Sequence, residues 1–406
     1  MTRLIPLEPD FPESDDVHIT VSGAGLDEAC TRMGFLFARS ESRVRAADYV
    51  RGLLSGIARK NTWQVAAHAG HANPDGIQWL LTRAPWSAAA LRDVTRSYVM
   101  EQLGDDRAVL AFDDLAFAKR GDKSVGVARQ LAGSAMRVEN CQVGVFMAYV
   151  STEGAALIDR ELYLPRPEWS EDPVRRAAAG VPEHVWYASR SQLAARMLDR
   201  AAAANVPFGS VVVRQSCAGA RLRESCHARR LTLVEEISPR WLVMDTRTGR
   251  RVEAGALARL IPRGAFEIGY PGGGAAAAVR LGRPVDGMQT SLLVRAPADP
   301  DGEYLHFVCQ APTWATLGNF VVAADTLAVT EQYISRSRME VGLDQYEVRK
   351  WEPWYRHVTL SMFAMAHLAV TRARGMRADH LEQVDGIPRP RRERTVRPAG
   401  DPPGGR

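Results

Sequence analysis

Apolar residues recur at spacings of three and four from Leu26 to Leu103, with polar residues between them. This period places the apolar side chains of each helix on one stripe, where neighbouring helices can bury them. We therefore predict a helical bundle over residues 25–105. The stretch before it, 1–24, is acidic and interrupted by proline, and we expect it to be a flexible leader.

The pattern changes to strands after Gly104. Three apolar, partly β-branched runs separated by turn-forming residues predict a three-stranded meander. A helical stretch and a fourth buried strand follow, and together they predict a mixed α/β unit over 106–216. The three runs are 108–112, 124–131 and 141–150, the helix is 191–204, and the fourth strand is 208–213.

The rest of the chain divides into three parts. Short strand-like runs and many glycines fill 217–311, which predicts a β-rich insertion. Two helices are predicted within 312–378, at 325–340 and 358–372. The tail at 379–406 alternates proline with arginine, a composition typical of disordered segments.

Composition narrows the class of protein. The chain has 406 residues, 46% of them hydrophobic and 24% charged, which indicates a globular protein with more than one packed unit. No apolar run approaches the roughly 20 residues that span a bilayer, and the first residues are unlike a signal peptide. We therefore expect a cytoplasmic protein with no membrane partner. The net charge of +5 fits a basic patch, but many proteins without a nucleic-acid partner share it.

Two other kinds of site receive little support. The five cysteines are widely spaced and form no CxxC pair, which argues against a disulfide framework and a zinc ribbon. His68 and His71 form an HxxH pattern, but no further ligand follows at a zinc spacing. The sequence also has no GxSxG motif of the kind that presents a hydrolase serine.

Three stretches resemble bacterial insertion-sequence transposases of the DDE superfamily, and more narrowly the insertion-sequence 701 group. The resemblance covers about residues 53–370 and implies an α/β protein with an RNase H-like core, a mixed sheet flanked by helices. It also implies that 25–105 is a DNA-binding region and that the β-rich insertion precedes the last catalytic helix. The stretches are VLAFDDLAFAKRGDKSVGVARQLAG from Val109 onward to Phe146, VPFGSVVVRQ at 206–215, and EVGLDQYEVRKW at 340–351.

Catalysis in such transposases uses two divalent ions held by three carboxylates, one ion at the attacking oxygen and one at the leaving oxygen. Asp113 matches the first acid. Alignment of the Phe-Gly pair at 208–209 puts Arg214 at the second acid. Counting back from the Val-Gly-Leu at 341–343 puts Thr330 at the third. The resemblance thus implies that two of the three metal-binding acids are replaced.

These replacements bear on metal binding. At 4 Å and an effective dielectric constant of about 20, a unit charge pair is worth roughly 4 kcal/mol, so Arg214 facing a divalent ion is repelled by about twice that. Asp113 at most remains as a metal ligand, and we expect no cofactor, or Mg²⁺ if the protein is active. Glu331 follows Thr330 by about 100° around the helix, and we expect it to take part only if the helix rotates.

The implied partner is double-stranded DNA, which basic side chains bind through its phosphates. In the bundle, Trp63 is expected to pack inward while polar residues on the opposite face contact DNA. Trp351 and Trp354 are candidates for stacking on a displaced base, with core packing as the alternative. The candidate DNA-binding residues are Arg59, Lys60, Gln64, Lys119, Arg120, Lys123, Arg338, Arg349, Lys350 and Arg356.

Two functions from different classes are consistent with the sequence. The first is a catalytically inactive, domesticated or regulatory pseudo-transposase that binds DNA in the nucleoid, with a homodimer or an active transposase in trans as possible partners. The second is an active DDE transposase that carries out Mg²⁺-dependent DNA cleavage and strand transfer. In it, Asp113 pairs with Asp114, Glu331 or Glu347. A third possibility is reuse of the scaffold for a task unrelated to DNA.

Overall fold

The predicted amino-terminal helices are present in the structure, a computed structural model that describes residues 23–132, 137–268, 274–297 and 302–385. Two of these helices have a polar N-cap residue. Asn61 and Ser87 each accept a hydrogen bond from a backbone amide in the first turn of the helix that follows. Residues 1–22 of the expected leader lie outside the described residues. The helices are α1 (Gly23–Gly34), α2 (Ser40–Leu54), α3 (Thr62–His68), α4 (Asp75–Thr82) and α5 (Ala88–Leu103).

The predicted meander is also present, with one strand that the sequence pattern did not show. β1 pairs antiparallel with β3, and β3 pairs antiparallel with both β2 and β4. The unpredicted strand is β4, which follows β3 through a tight turn at Gly154. The strands are β1 (Val109–Ala118), β2 (Ala128–Ala132), β3 (Arg137–Ser151) and β4 (Gly154–Tyr163).

Two parallel strands complete the core sheet. β5 pairs parallel with β1, and β6 pairs parallel with β5. The order β4-β3-β1-β5-β6 is the RNase H-like arrangement, and the predicted fold class is confirmed. The expected domain boundary at residue 217 is wrong, because β6 belongs to this sheet. The elements here are α6 (Pro173–Ala178), α7 (Arg190–Ala203), β5 (Ser210–Val213), α8 (Ala220–Ala228) and β6 (Thr232–Ile237).

The β-rich segment extends the same sheet. β6 pairs antiparallel with β12, and the sheet continues through β11 and β10 to β9. β7 and β8 form a separate two-stranded hairpin. The elements are β7 (Leu242–Asp245), β8 (Arg250–Glu253), α9 (Ala254–Ala258), β9 (Glu267–Ile268), β10 (Ala275–Arg280), β11 (Met288–Ala296) and β12 (Leu305–Pro312).

Two long helices, α10 (Leu317–Val341) and α11 (Trp351–Asp385), finish the described chain. α10 begins at a capping box formed by Thr316 and Asn319, and it ends at Gly342, whose φ of 60° suits glycine. Since α11 runs to residue 385, the prediction of disorder from 379 onward is wrong for 379–385. Residues 386–406 lie outside the described residues. Among the described helices, none is long and apolar enough to cross a membrane.

Helix α11 connects the bundle to the sheet. It packs against α2, α4 and α5 on one side and against β4 on the other. Arg356 in its first turns is buried and donates hydrogen bonds to the carbonyl oxygens of Leu81 (3.3 Å) and Trp86 (3.2 Å). Its guanidinium also lies 5.3 Å from the centre of a Trp86 ring. Arg356 therefore holds the turn between α4 and α5 to the rest of the protein.

We predict that Arg356→Ala lowers the free energy of unfolding by about 2–4 kcal/mol, because two buried carbonyl oxygens lose their donor. Urea denaturation followed by circular dichroism measures this loss. Arg349→Ala is the matched control: Arg349 is exposed, and its removal should change the free energy by less than about 0.5 kcal/mol. Equal effects of the two substitutions would contradict the structural role of Arg356.

Candidate functional site

The candidate site lies at the centre of the core sheet. Asp113 is in the middle of β1, opposite Phe146 of β3, and only 6% of its surface is exposed. Because Phe112 lies beside Val213 in the parallel pair of β1 and β5, the residue after β5 is next to Asp113. That residue is Arg214, whose backbone amide donates to the carbonyl oxygen of Phe112 at 2.9 Å. Sheet register alone thus brings Asp113 and Arg214 together.

The guanidinium of Arg214 contacts three carboxylates. Its Nη2 lies 3.2 Å from Oδ2 of Asp113 and 3.1 Å from Oε2 of Glu331, and its Nη1 lies 3.3 Å from Oε1 of Glu236. Its Nε also donates to Oδ2 of Asp113 at 3.3 Å. The other oxygen of Glu236 accepts from the backbone amide of Gln215 at 3.2 Å. We call Asp113, Glu236, Glu331 and Arg214 the arginine-centred cluster.

Burial and charge act in opposite directions on the pKa values of this cluster. Burial raises the pKa of Asp113 to about 6, and the nearby guanidinium of Arg214 opposes that rise. Burial by itself would lower the pKa of Arg214. The charges of Asp113 and Glu236 more than offset it, so the pKa of Arg214 lies above its ordinary value. Arg214 is therefore a permanent cation within the cluster.

Asp114 lies in a separate environment. Successive side chains of a strand point to opposite faces, so Asp113 and Asp114 face different sides of β1. Asp114 pairs with Nη1 of Arg190, at the start of α7, at 2.9 Å, and it accepts a hydrogen bond from the hydroxyl of Ser216. The alternative that pairs Asp113 with Asp114 around one ion is therefore not supported, since each carboxylate has its own arginine.

The structure corrects the expectation for the last helix. Thr330 is buried in α10, and its hydroxyl donates to the carbonyl oxygen of Thr326 at 2.9 Å. Glu331 faces Arg214 with the helix as it stands, so the expectation that it would need a rotated helix is wrong. Thr330 is therefore part of the packed interior, and the acid of α10 that contacts Arg214 is Glu331, one residue further along.

Glu236 is a member of the cluster that the sequence reasoning missed. It lies in β6, whose sequence TLVEEI carries two adjacent acids in a largely buried strand. Glu235 is buried and pairs with Arg223, while Glu236 faces Arg214. Acids inside an apolar strand pattern were the available signal, but this segment was assigned to the insertion. Its place beside β5 depends on a pairing that no local pattern reveals.

The cluster does not fit a divalent ion. Its carboxylates offer the oxygen ligands that Mg²⁺ prefers, but a guanidinium lies between them and contacts all three. The guanidinium of Arg214 repels a divalent ion, and it prevents the carboxylate oxygens from coming close to such an ion. In the described ranges, this cluster included, no group of three or more His, Cys, Asp or Glu side chains is arranged to hold a metal ion.

Two of the candidate DNA-binding residues are buried, and those assignments are wrong. Lys60 is 4% exposed, its ammonium donates to the carbonyl oxygen of Ser55, and burial lowers its pKa. Arg356 is 7% exposed and binds backbone carbonyl groups. Neither side chain is accessible to a phosphate, because a side chain held inside the fold cannot reach the DNA surface.

The aromatic expectations are also corrected. Trp63, which was expected to pack inward, is 62% exposed. Trp354 is fully buried, and its indole donates to the hydroxyl of Tyr346 at 3.1 Å. Trp351 is buried and contacts Tyr355 through its ring. Trp351 and Trp354 therefore pack in the core rather than stack on a base.

The other candidate DNA-binding residues differ in how exposed and how strongly paired their side chains are. Lys119 lies 3.8 Å from the centre of the Tyr346 ring, and burial lowers its pKa to about 8. Arg338 is half exposed and pairs with Asp344 at 2.7 Å. The side chain of Gln64 accepts a hydrogen bond from the backbone amide of Arg59. The side chain of Arg59 is exposed.

Four exposed cations come from two segments that lie far apart along the chain but side by side in the fold. The backbone amide of Val125 donates to the carbonyl oxygen of Arg349 at 2.9 Å, which places the loop after β1 beside the segment before α11. These two segments supply exposed basic side chains from separate parts of the sequence. We call this surface the basic edge, and its members are Arg120, Lys123, Arg349 and Lys350.

Comparison with known proteins agrees with this geometry. The family model described as DDE superfamily endonuclease matches residues 32–249, more than half of the chain, and the chain belongs to this family. It is similar to the probable transposase for insertion sequence element IS701 of Microchaete diplosiphon, with 28% identity over 142 residues. That alignment covers 35% of this chain and 37% of the relative, so the chain matches little more than a third of the relative's length.

A solved structure, the C-terminal lobe of a budding yeast Argonaute, is 10% identical to this chain. The match covers 75% of this chain and 57% of that one. Its TM-score is 0.21, so the likeness supports no conclusion.

We predict that Asp113 makes folding stability fall as pH rises. Its pKa is about 6 in the folded protein and about 3.9 in an unfolded chain, so the folded form binds the proton more tightly. The stabilisation is complete below pH 4 and is lost as pH rises through 6. The unfolding free energy of the wild type relative to Asp113→Asn should therefore fall by about 2–3 kcal/mol between pH 4 and pH 7.

Urea denaturation at each pH measures this difference. Asp122→Asn serves as the matched control for the same substitution at an exposed aspartate, because the Asp122 side chain is 79% exposed. A difference between wild type and Asp113→Asn that is constant, or that grows with pH, would show that the pKa of Asp113 is not raised.

Proposed function

We propose that this protein binds double-stranded DNA and does not cut it by a metal-dependent reaction, as a regulatory or architectural relative of insertion-sequence transposases. The observation that carries the proposal is the contact of Arg214 with Asp113, Glu236 and Glu331. A two-ion cleavage needs carboxylates that are free to bind the ions. Here the carboxylates are bound by a cation of the chain itself.

The DNA-binding half of the proposal rests on family and charge. The family acts as endonucleases, and the relative from Microchaete diplosiphon is named as a probable transposase. The basic edge offers four exposed cations to phosphates, and such contacts give affinity without sequence preference. It begins just beyond β1, about 20 Å along the strand direction from Asp113. One helical turn of a duplex is about 34 Å long, which is enough to contact both places.

We predict that the protein leaves supercoiled plasmid intact in MgCl₂ or MnCl₂, because Arg214 occupies the position that the ions require. Agarose gel electrophoresis after incubation with divalent salt or EDTA detects nicked and linear forms. The control for a contaminating nuclease is Asp113→Asn, purified in parallel. Nicks that need a divalent ion and disappear in Asp113→Asn would contradict the proposal and establish the alternative, an active DDE transposase.

We predict that removing the four cations of the basic edge weakens DNA binding at least about tenfold and lowers the slope of log affinity against log salt concentration by about four, since each lost phosphate contact removes about 0.9. Fluorescence anisotropy with a labelled duplex, at several salt concentrations, measures both. The variant is Arg120→Ala/Lys123→Ala/Arg349→Ala/Lys350→Ala.

A control variant also loses four positive charges, but at a different place on the surface. It removes four exposed arginines of the β-rich segment and should bind DNA nearly as well as the wild type. If both variants lose affinity equally, net charge and not the basic edge accounts for binding. If the wild type retains no DNA at low salt, the protein has no role on DNA. This control is Arg240→Ala/Arg250→Ala/Arg251→Ala/Arg259→Ala.

A further inference from the structure

We infer that Arg214 is a built-in structural cation that replaces bound divalent ions, and that its three carboxylates form a latent divalent-cation site exposed when its side chain is removed. In this role the guanidinium joins the sheet to α10. The inference concerns the same cluster as the proposed function, but it does not depend on DNA binding.

Arg214 acts as a clamp, by which we mean that one guanidinium joins carboxylates from several elements. It is not a single ion pair on the surface. Asp113 comes from β1, Glu236 from β6 and Glu331 from α10. Asp113 and Glu331 share Nη2 of one guanidinium, and Glu236 contacts its Nη1. All three guanidinium nitrogens take part. Arg214 itself follows β5, so four elements meet at one planar group. A guanidinium suits this role because its donors are fixed in direction and it stays charged at any physiological pH.

Charge explains why the cluster requires a cation. Three carboxylates converge here, and the Asp113 side chain is only 9% exposed and that of Glu236 19%. Like charges at such distances repel strongly when solvent is partly excluded. One guanidinium neutralises only one of the three charges. The negative charge that remains would attract a divalent ion if the guanidinium were absent.

Two of the carboxylates already contact one atom of the guanidinium. Oδ2 of Asp113 and Oε2 of Glu331 lie 3.2 and 3.1 Å from Nη2 of Arg214, so these two oxygens are at most about 6.3 Å apart. Two oxygens bound to one Mg²⁺ lie within about 4 Å of each other, so the carboxylates must move together to share an ion. The Glu331 side chain is 55% exposed and is therefore able to move inward. Hard oxygen ligands from separate elements are the kind of set that binds Mg²⁺ or Mn²⁺. In the wild-type protein the tethered guanidinium prevents this, because a free ion must displace a group that cannot diffuse away.

The test is the thermal stability of Arg214→Ala in EDTA and in increasing MgCl₂ or MnCl₂, with ionic strength held constant by KCl. We expect the wild type to have the same Tm in all three conditions. Arg214→Ala should have a Tm lower by about 5 °C or more in EDTA, since three carboxylates lose their common cation. Divalent salt should recover at least about half of that loss, because an ion that binds only the folded state stabilises it.

Two further variants separate a cation site from a general effect of salt. Arg214→Lys keeps a positive charge, and we expect an intermediate Tm with no response to divalent ions. Arg223→Ala removes another arginine beside a buried acid, Glu235, where only one carboxylate is paired. It should lower the Tm without recovery in MgCl₂ or MnCl₂. If Arg214→Ala does not fold in EDTA, Arg214→Gln, which is neutral and larger, provides the same comparison.

Several results would overturn the inference. An Arg214→Ala protein as stable as the wild type in EDTA would show that the guanidinium is not a clamp. An equal response to divalent ions in the wild type or in Arg223→Ala would show that no specific site was opened. Failure of the wild type to bind DNA would contradict the DNA-binding half of the proposed function but leave these Tm values unaffected. The inference shares only the exclusion of divalent ions by Arg214 with the proposed function.

Discussion

A carboxylate buried in the middle of a sheet needs a partner, because transfer of a lone charge out of water is unfavourable by many kcal/mol. Asp113 meets this constraint through Arg214. The same solution recurs around it, since each of the neighbouring buried acids faces an arginine that comes from a helix. These pairs are Asp114 with Arg190, Asp159 with Arg200, and Glu235 with Arg223.

Because many arginines pair inside the fold, the number of basic residues in the chain does not measure its capacity to bind DNA. Several of its arginines hold buried acids or backbone carbonyl groups and are therefore not available to DNA. Arg356 is the clearest case, because its charge lies over Trp86 and its donors bind carbonyl oxygens. The basic edge is defined by exposure and not by charge alone. The net charge of +5 is accordingly a poor guide to the size of a DNA-binding surface.

The family fold predicts a metal site beside Asp113, whereas the arginine-centred cluster has a guanidinium there. Both depend on the same pairing of β1 with β5. The parallel pairing of β1 and β5 places the residue after β5 beside Asp113 in this fold. An acid at that position would complete a set of metal ligands, whereas arginine provides the cation itself. One substitution at a topologically fixed position is enough to change the chemistry without changing the sheet. Fold and activity are separable here for that reason.

The sequence by itself determined the local elements. The period of the apolar residues identified the bundle, β1, α7 and β5. The resemblance to insertion-sequence transposases implied that Arg214 stands at the acid position beside Asp113, and the register of β1 and β5 brings the two residues together. Only the tertiary structure decided that Glu236 and Glu331 complete the cluster and that Lys60 is buried. These outcomes depend on which strand joins the edge of β5 and on how α10 is rotated. Contacts between distant elements set both, and a local pattern does not contain them.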